Sequence, residues 1–389
     1  MTEATKIDRL EQLLETNRPR RLIVRAHLTP VAEKRFQPAG FPEIGHVFYD
    51  DPKSGEKVCV VDSAASMANH LEKICWDDAR MELHEDLQGL PYVKLMTDDV
   101  DGTKGRKVLV MTTLSEGHRL ASDYFLDAEW ESVERKGKRA GVSGKQFLQE
   151  QFGVREIGEK TFTPPSARLD VLRTIFECDP NSLVHGIFFA AFKDIKIPRV
   201  LTAFLEAYGA GRVAGAGVKF DPIGKTESGQ PIFQTEDATA KDIVATFVVD
   251  LDQIRSFGHG EKGLKGPEKA LLLGLALWKI LRLVEHPWRY RTRCDLKLEK
   301  LEAEGIGDDK ALSALVDMKA LLANAGFKDR QPREVYYPAK VLFAKKEKKQ
   351  KGAQAPESTG GGGAADEAVG GANQEEAPAP ESTGQDSEE

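Results

Sequence analysis

Cysteine is scarce. The four residues, at 59, 75, 178 and 294, form no C-x-x-C pair and have no spacing suited to zinc. A disulfide scaffold and a zinc-ribbon module are therefore excluded, and the thiols are expected to be reduced and mostly buried in a cytoplasmic protein. A long apolar run is missing as well. The most apolar stretch, Ala270 to Trp278, is interrupted by Lys279 and Arg282 and has about half the ~20 residues that a bilayer requires, so it reads as a core helix and no membrane partner is expected. The amino end, Met1 to Lys6, is polar where a signal peptide needs an apolar h-region, and no export is expected. The eight histidines form no H-E-x-x-H and have no evident nucleophile partner. Paired acids such as Asp77-Asp78 and Asp98-Asp99 stand in loop-like, charged contexts that need no catalytic explanation.

Basic residues are absent from one region, and this changes the charge reading. From Gly352 to Glu389 there is no Lys, Arg or aromatic residue. Such a Gly/Ala/Pro/Glu segment cannot bury enough apolar surface to offset its ordering entropy and is expected to be disordered. Its nine acids sit inside the formal net charge of −7, so the rest of the chain carries 55 basic residues against 53 acidic ones, a charge of +2. Local potential steers a polyanion to a groove more than net charge does. The sequence pI of 5.8 does not exclude a nucleic-acid ligand. Within the tail, Ala355-Pro356-Glu357-Ser358-Thr359-Gly360 repeats as Ala379-Pro380-Glu381-Ser382-Thr383-Gly384, a duplicated tether with no core to share.

In the remaining 344 residues plus a basic boundary at 345–351, apolar periodicity marks the elements. Ile7, Leu10, Leu13 and Leu14 predict an amphipathic helix stopped by Asn17 and Pro19. Leu22, Val24, Ala26 and Leu28 alternate with Arg25 and His27 as in a half-buried strand. Hairpins are expected around Asp50 to Gly55 and between Val93-Met96 and Val108-Met111. A short helix is expected over Ser63 to Lys73, capped by Asp62 or Ser63, and a basic, mobile loop over Glu134 to Lys145. Lys241 to Val249 predicts a strand, and Pro267 to Val284 a long helix ending before Pro287.

Several segments carry chemistry suited to nucleic acid. Lys34-Arg35-Phe36-Gln37 offers two cations, a ring and an amide on a chain stiffened by Pro38. That combination suits phosphate neutralisation with base stacking, although the residues alone equally describe a loop whose Phe36 plugs the core. Ser66 and Asn69 share a helix face beside Met67, near a helix start that can approach phosphates; Ala-Ser-Met-Ala also suits ordinary packing. His118-Arg119, Arg168, Arg199 and Arg212 stand beside apolar runs, as phosphate clamps or as partners of surface acids. His185 reads as a core histidine. In Trp288 to Arg293 an extended strand would place Arg289, Arg291 and Arg293 on one face. Gly209 to Gly217 is flexible, but Gly224-Lys225-Thr226 is no P-loop, because Lys219 occupies the position of the first glycine.

The stretches Phe36-Gln37-Pro38-Ala39-Gly40-Phe41-Pro42, Asp62-Ser63-Ala64-Ala65-Ser66-Met67-Ala68-Asn69, His118-Arg119-Leu120-Ala121-Ser122, Ser182-Leu183-Val184-His185-Gly186, Pro198-Arg199 and Arg291-Thr292-Arg293-Cys294-Asp295-Leu296 together resemble the backbone subunit of type I-G (formerly I-U) CRISPR surveillance complexes, in the RAMP superfamily of guide-RNA-binding proteins. The resemblance runs from about Arg20 to Phe257 and resumes at Arg291. It implies an α+β fold with an RRM/ferredoxin-like palm, built partly from Leu22–Leu28 and Lys241–Val249 and elaborated by helical and β-hairpin insertions. This body would span 1–344, followed by the boundary at 345–351 and the disordered acidic tail at 352–389.

The resemblance further implies that copies of the chain polymerise along a guide RNA (crRNA), hold it by its backbone and present it to target DNA, with a large subunit and a fused Cas-five/Cas-six-type subunit as further partners. The implied RNA contacts are Lys34, Arg35, Phe36, Gln37, Ser66, Met67, Asn69, His118, Arg119, Arg168, Arg199, Arg212, Arg289, Arg291 and Arg293. No catalytic residue, metal or cofactor is expected. Two other classes stand beside this one: a metal-dependent RNA endonuclease of the same superfamily, whose relatives cut with a loop aspartate, and a stand-alone single-strand-binding protein.

Overall fold

The computed structural model describes residues 3–15, 19–41, 44–97, 107–135, 138–157, 160–192, 195–213, 236–259, 262–305 and 311–338. The acidic tail, the basic boundary at 345–351, Gly224-Lys225-Thr226 and the connection 98–106 lie outside the described residues.

The alternation at 22–28 does what its period dictates. Within the Arg21–Pro30 strand Leu22, Val24, Ala26 and Leu28 are buried, while Arg25 and His27 stay half-covered on the opposite face. The strand lies third in a seven-stranded antiparallel sheet ordered Trp288–Arg291, Cys294–Glu304, Arg21–Pro30, Asp242–Asp250, Leu201–Tyr208, Lys57–Asp62, Phe48–Asp50. Register is set by apolar pairs: Val24 faces Phe247 on one side and Ala303 on the other, and Leu205 faces Ala245. Numbered in chain order, the Arg21–Pro30, Leu201–Tyr208, Asp242–Asp250 and Cys294–Glu304 strands stand in the order 4-1-3-2.

The Gly266–Glu285 helix, opened by Pro267, is buried without a break from Ala270 to Ile280. It packs on the sheet together with the Ala64–Lys73 helix. Gly274 lets the Met318–Asn324 helix approach, because a Cβ there would stand 2.3 Å from Leu321 Cδ1. Leu10 of the Glu3–Leu13 helix is buried against the same helix. Ser63 caps the Ala64–Lys73 helix by accepting the Ser66 N–H at 3.2 Å, and the expected hairpins form at 48–62 and between Val93–Thr97 and Val108–Thr112.

A second sheet of five strands holds the Val93–Thr97 and Val108–Thr112 pair, the Arg333–Tyr336 strand parallel to Val93–Thr97, and the Glu129–Arg135 and Lys138–Ser143 strands. Those last two correct the expected mobile loop at 134–145. Val133 pairs with Ala140 and Glu134 with Arg139, after which Ser143 caps the Gly144–Gln151 helix in a reciprocal exchange with Gln146. Basic, glycine-containing composition argued for a loop, but ladder pairing is a backbone property that such a composition does not forbid.

Candidate nucleic-acid interface

Asp62 ends its strand with a completely buried carboxylate, and every acceptor site on it is used. Oδ1 accepts the Ser63 N–H at 3.0 Å and Arg291 Nη2 at 2.7 Å; Oδ2 accepts Ser66 Oγ at 3.0 Å and His70 Nε2 at 3.1 Å. The other nitrogen of His70, Nδ1, accepts the Trp288 Nε1–H at 3.2 Å, so a neutral ring protonated on Nε2 satisfies both contacts. Trp288 and Tyr290 meet the imidazole edge-on. Arg291 and Asp62 belong to the first and sixth strands, which in a flat sheet would stand about 24 Å apart. Their 2.7 Å contact shows a sheet curled until its ends approach.

The segment after the first strand docks on the same end. Phe36 exchanges backbone hydrogen bonds with Ala238 at 2.9 and 2.8 Å, the Gln37 N–H donates to Arg293 O at 3.1 Å, and the Ala39 N–H to Val61 O at 2.9 Å. Above it lies an ion cluster in which Arg35 contacts Glu33 at 2.8 Å and Asp237 at 3.5 Å, and Arg293 contacts Asp237 at 3.1 Å and Glu33 at 3.5 Å. The Arg35 hydrogen bond, the largest cause, holds the Glu33 carboxyl below its usual range. Asp237 is buried, so these guanidiniums neutralise it.

Four expectations change here. Phe36 is 1% exposed and fills the core, so in this conformation it cannot stack on a base, and Met67 is wholly buried. Arg289, Arg291 and Arg293 do not share a face: the strand ends at Arg291, a bulge interrupts its pairing, and Arg293 takes φ +62° in the turn. Each faces a separate acid, Asp295 at 2.8 Å, Asp62 at 2.7 Å and Asp237 at 3.1 Å. Arg119 is also buried. It grips Glu72 with Nε at 2.7 Å and Nη2 at 2.6 Å, in a left-handed backbone conformation of φ +53°.

Glu72 also accepts Asn181 Nδ2 at 2.7 Å. Asn181 Oδ1 accepts from Lys279, whose buried ammonium also donates to His185 Nε2 at 2.8 Å. Burial, then the Lys279 charge, pushes the His185 pKa well below its ordinary value, so the expected core histidine is a neutral acceptor. Asp179, bonded to Ser182 at 2.7 Å, is pushed up to about 6 by burial. This network joins three helices, Ala64–Lys73, Pro180–His185 and Gly266–Glu285, to the 116–119 turn, and nothing in the sequence marked Glu72, Asp179 or Lys279 as its members.

The remaining candidates lie near the surface. Lys34, Asn69 and Arg199 are exposed, and Arg289 is 72% exposed. Gln37 and Ser66 are half-buried. His118 is exposed beside Glu116 at 3.2 Å, and Arg212 pairs with Glu236 while lying 4.3 Å over the Phe48 ring. Arg168 opens the Arg168–Cys178 helix and shares none of the contacts above. Arg199 has no carboxylate partner among the described residues; partial burial, then the Arg119 charge, lowers its pKa. The sequence reading missed Phe188, 54% exposed, which faces Lys196 across the Ile187–Phe189 and Ile195–Ile197 pair. Its signal was a lone ring out of phase with buried Ile187 and Phe189.

All four cysteines are buried and unpaired. Among the described residues, no three metal-ligating side chains converge and no helix is long and apolar enough to cross a membrane.

Residues 22–212 match the model of a CRISPR-associated family described as CRISPR-associated protein GSU0053. That span includes the 36–42, 62–69, 118–122, 182–186 and 198–199 stretches and ends before the 288–296 hairpin. No curated protein matches the chain. Among solved structures, the crystal structure of Thermofilum pendens Csc2 is similar at 14% identity, with a TM-score of 0.26 over 83% of this chain and 84% of that one, and no residue correspondence is drawn from it. The matched region supports a CRISPR-associated protein.

Proposed function

We propose that this chain is a non-catalytic guide-RNA-binding backbone subunit of a type I-G CRISPR surveillance complex. It acts in the cytoplasm, polymerises along the spacer and presents it to target DNA. The observation that carries this reading is convergence. Two stretches inside the span matched to a CRISPR-associated family, 36–42 and 62–69, meet around Asp62 with the distant 288–296 hairpin, and Lys34, Asn69 and Arg289 remain exposed on these three neighbouring elements. The 4-1-3-2 antiparallel order is that of an RRM/ferredoxin-like palm, which supports the RAMP reading. The buried acids Asp62, Glu72 and Asp237 take Arg291, Arg119 and Arg293 as structural partners, and of these three arginines Arg119 alone is buried. Phosphate contact then falls to Lys34, Arg289 and Arg199, and base stacking to Phe188 beside Lys196, with Gln37, Ser66 and Asn69 as amide and hydroxyl contacts.

The test is the nucleic acid carried by the protein purified with and without its cognate crRNA, read by absorbance ratio and denaturing gel. A discrete guide-length RNA in a large multimer is expected. The folded Lys34→Ala, Arg289→Ala double variant should retain less of it and show a shallower salt dependence, by roughly 0.7 per lost phosphate contact. A nucleic-acid-free monomer in both preparations would overturn the reading, and RNA fragments appearing only with added metal would favour the endonuclease.

A further inference from the structure

Two cavities adjoin one another beside the Val93–Thr97 and Arg333–Tyr336 strands of the second sheet. One, of about 220 Å³, is lined by Gln88, Tyr92, Lys94, Lys328, Arg330 and Gln331 among others; the second, of about 250 Å³, shares Tyr92, Arg330 and Gln331 and adds Arg333. Glu82, Asp329 and Glu177 also reach these walls, but among the described residues none forms an ion pair with Lys94, Lys328 or Arg330. Two of these cations lie over rings instead. Lys94 lies 5.6 Å over Tyr92, and Arg330 lies 5.1 Å over Phe327.

Tyr92 is 4% exposed, lines both lobes and makes no side-chain hydrogen bond among the described residues. Burial pushes its hydroxyl up to about 12, so it remains a donor across the physiological range. Its ring packs edge-on against Trp76 at 6.0 Å, just past the carboxyl end of the Ala64–Lys73 helix. The Asp62 site is at the amino end of that helix, about 15 Å away.

We propose that this two-lobed groove is a second nucleic-acid site, in which Lys94, Lys328, Arg330 and Tyr92 hold phosphodiesters of a single strand at the opposite end of the Ala64–Lys73 helix from the Asp62 site. Two adjoining lobes with a shared polar ridge of Arg330 and Gln331 fit consecutive residues of a strand, and donors outnumber acceptors on that ridge. Lys94, Lys328 and Arg330, which form no ion pair with a carboxylate among the described residues, leave their charge available to an external anion.

The variant Lys328→Glu with Arg330→Glu changes two exposed side chains and is expected to fold, as circular dichroism will show. Its binding is compared with wild type by fluorescence anisotropy on the free protein, using a short single-stranded DNA, the same sequence as RNA, and inorganic phosphate; guide retention is scored on material purified with crRNA. The expected result is at least a tenfold loss of affinity for one of the strands, with the salt slope reduced by about 1.4 for two lost phosphates. Tyr92→Phe is expected to give a smaller loss in the same direction. Loss of RNA binding together with guide retention assigns the groove to the guide, whereas loss of DNA binding with the guide retained assigns it to a DNA strand. Unchanged affinity and slope, or phosphate bound as tightly as either strand, overturns the proposal. The backbone reading is judged on the wild-type purification alone, so either idea can fail without the other.

Discussion

Arg119 and Arg199 are close in space and opposite in role. Both are arginines beside apolar runs, and both touch the environment of Gly186: Arg119 donates to its carbonyl at 3.3 Å, and the Arg199 stem lies 2.9 Å from where a Gly186 Cβ would be. Arg119→Ala would strand Glu72 in the interior and should cost about 3–5 kcal/mol by chemical denaturation. Arg199→Ala should stay within about 0.5 kcal/mol of wild type while weakening RNA retention. Equal stability of the two variants would show that the Glu72 pair is not sustained in solution. Asp179 gives a pH test. Its carboxyl rises from 3.8 to about 6 on folding because it is buried. The folded state therefore holds its proton more tightly, and this contribution to stability is complete below pH 4 and lost as pH rises through 6. About two pKa units correspond to at most about 3 kcal/mol. The stability difference between wild type and Asp179→Asn should fall over that window and be flat above it, whereas a pH-independent difference would place Asp179 in contact with water.

At the scale of elements, the 31–39 segment and the 187–197 hairpin exchange the roles that composition suggests. The segment rich in Lys, Arg, Phe and Gln spends its ring in the core and its arginine on Asp237, while a hairpin with no basic cluster presents an exposed ring facing a lysine. Phe36→Ala is expected to cost about 3–5 kcal/mol through loss of a buried ring. Phe188→Ala is expected to leave the melting midpoint in place and to weaken RNA binding by roughly 1–3 kcal/mol per stacked base. If Phe36→Ala were the harmless one, the segment would be mobile and free to contact RNA. The elements themselves were largely legible. Alternation at 22–28 and at 243–249, the Ser63 cap, and Pro267 with Pro287 flanking an apolar helix are local signals, and each was met by a strand or helix within a residue or two. The 129–143 hairpin was not legible, because its charged, glycine-containing strands lack the apolar alternation that announces a ladder.

At the scale of the whole molecule, curvature and charge placement matter most. Curling of the seven-stranded sheet brings the 36–39 segment, the start of the Ala64–Lys73 helix and the 288–295 hairpin to one place, and the buried carboxylates bind them there. Deleting residues 352–389 takes nine acids away and moves the formal charge from −7 to +2. Thermal unfolding and assembly on guide RNA should be unchanged, as differential scanning calorimetry and gel filtration would show. Loss of assembly would make the tail part of the subunit contact.

The sequence by itself determined the local elements, the absence of a disulfide or zinc framework, the acidic composition of the tail, and the stretches on which the family resemblance rests. These depend on short-range periodicity and on residue type, which need no knowledge of neighbours in space. Tertiary structure alone decided which arginines are spent on buried acids. Arg119, Arg291 and Arg293 are indistinguishable from Arg199 and Arg289 along the chain, and only the fold reveals that Glu72, Asp62 and Asp237 are buried where a carboxylate must find a cation. Pairing across tens of residues follows from curvature and burial, and neither is a property of any one segment.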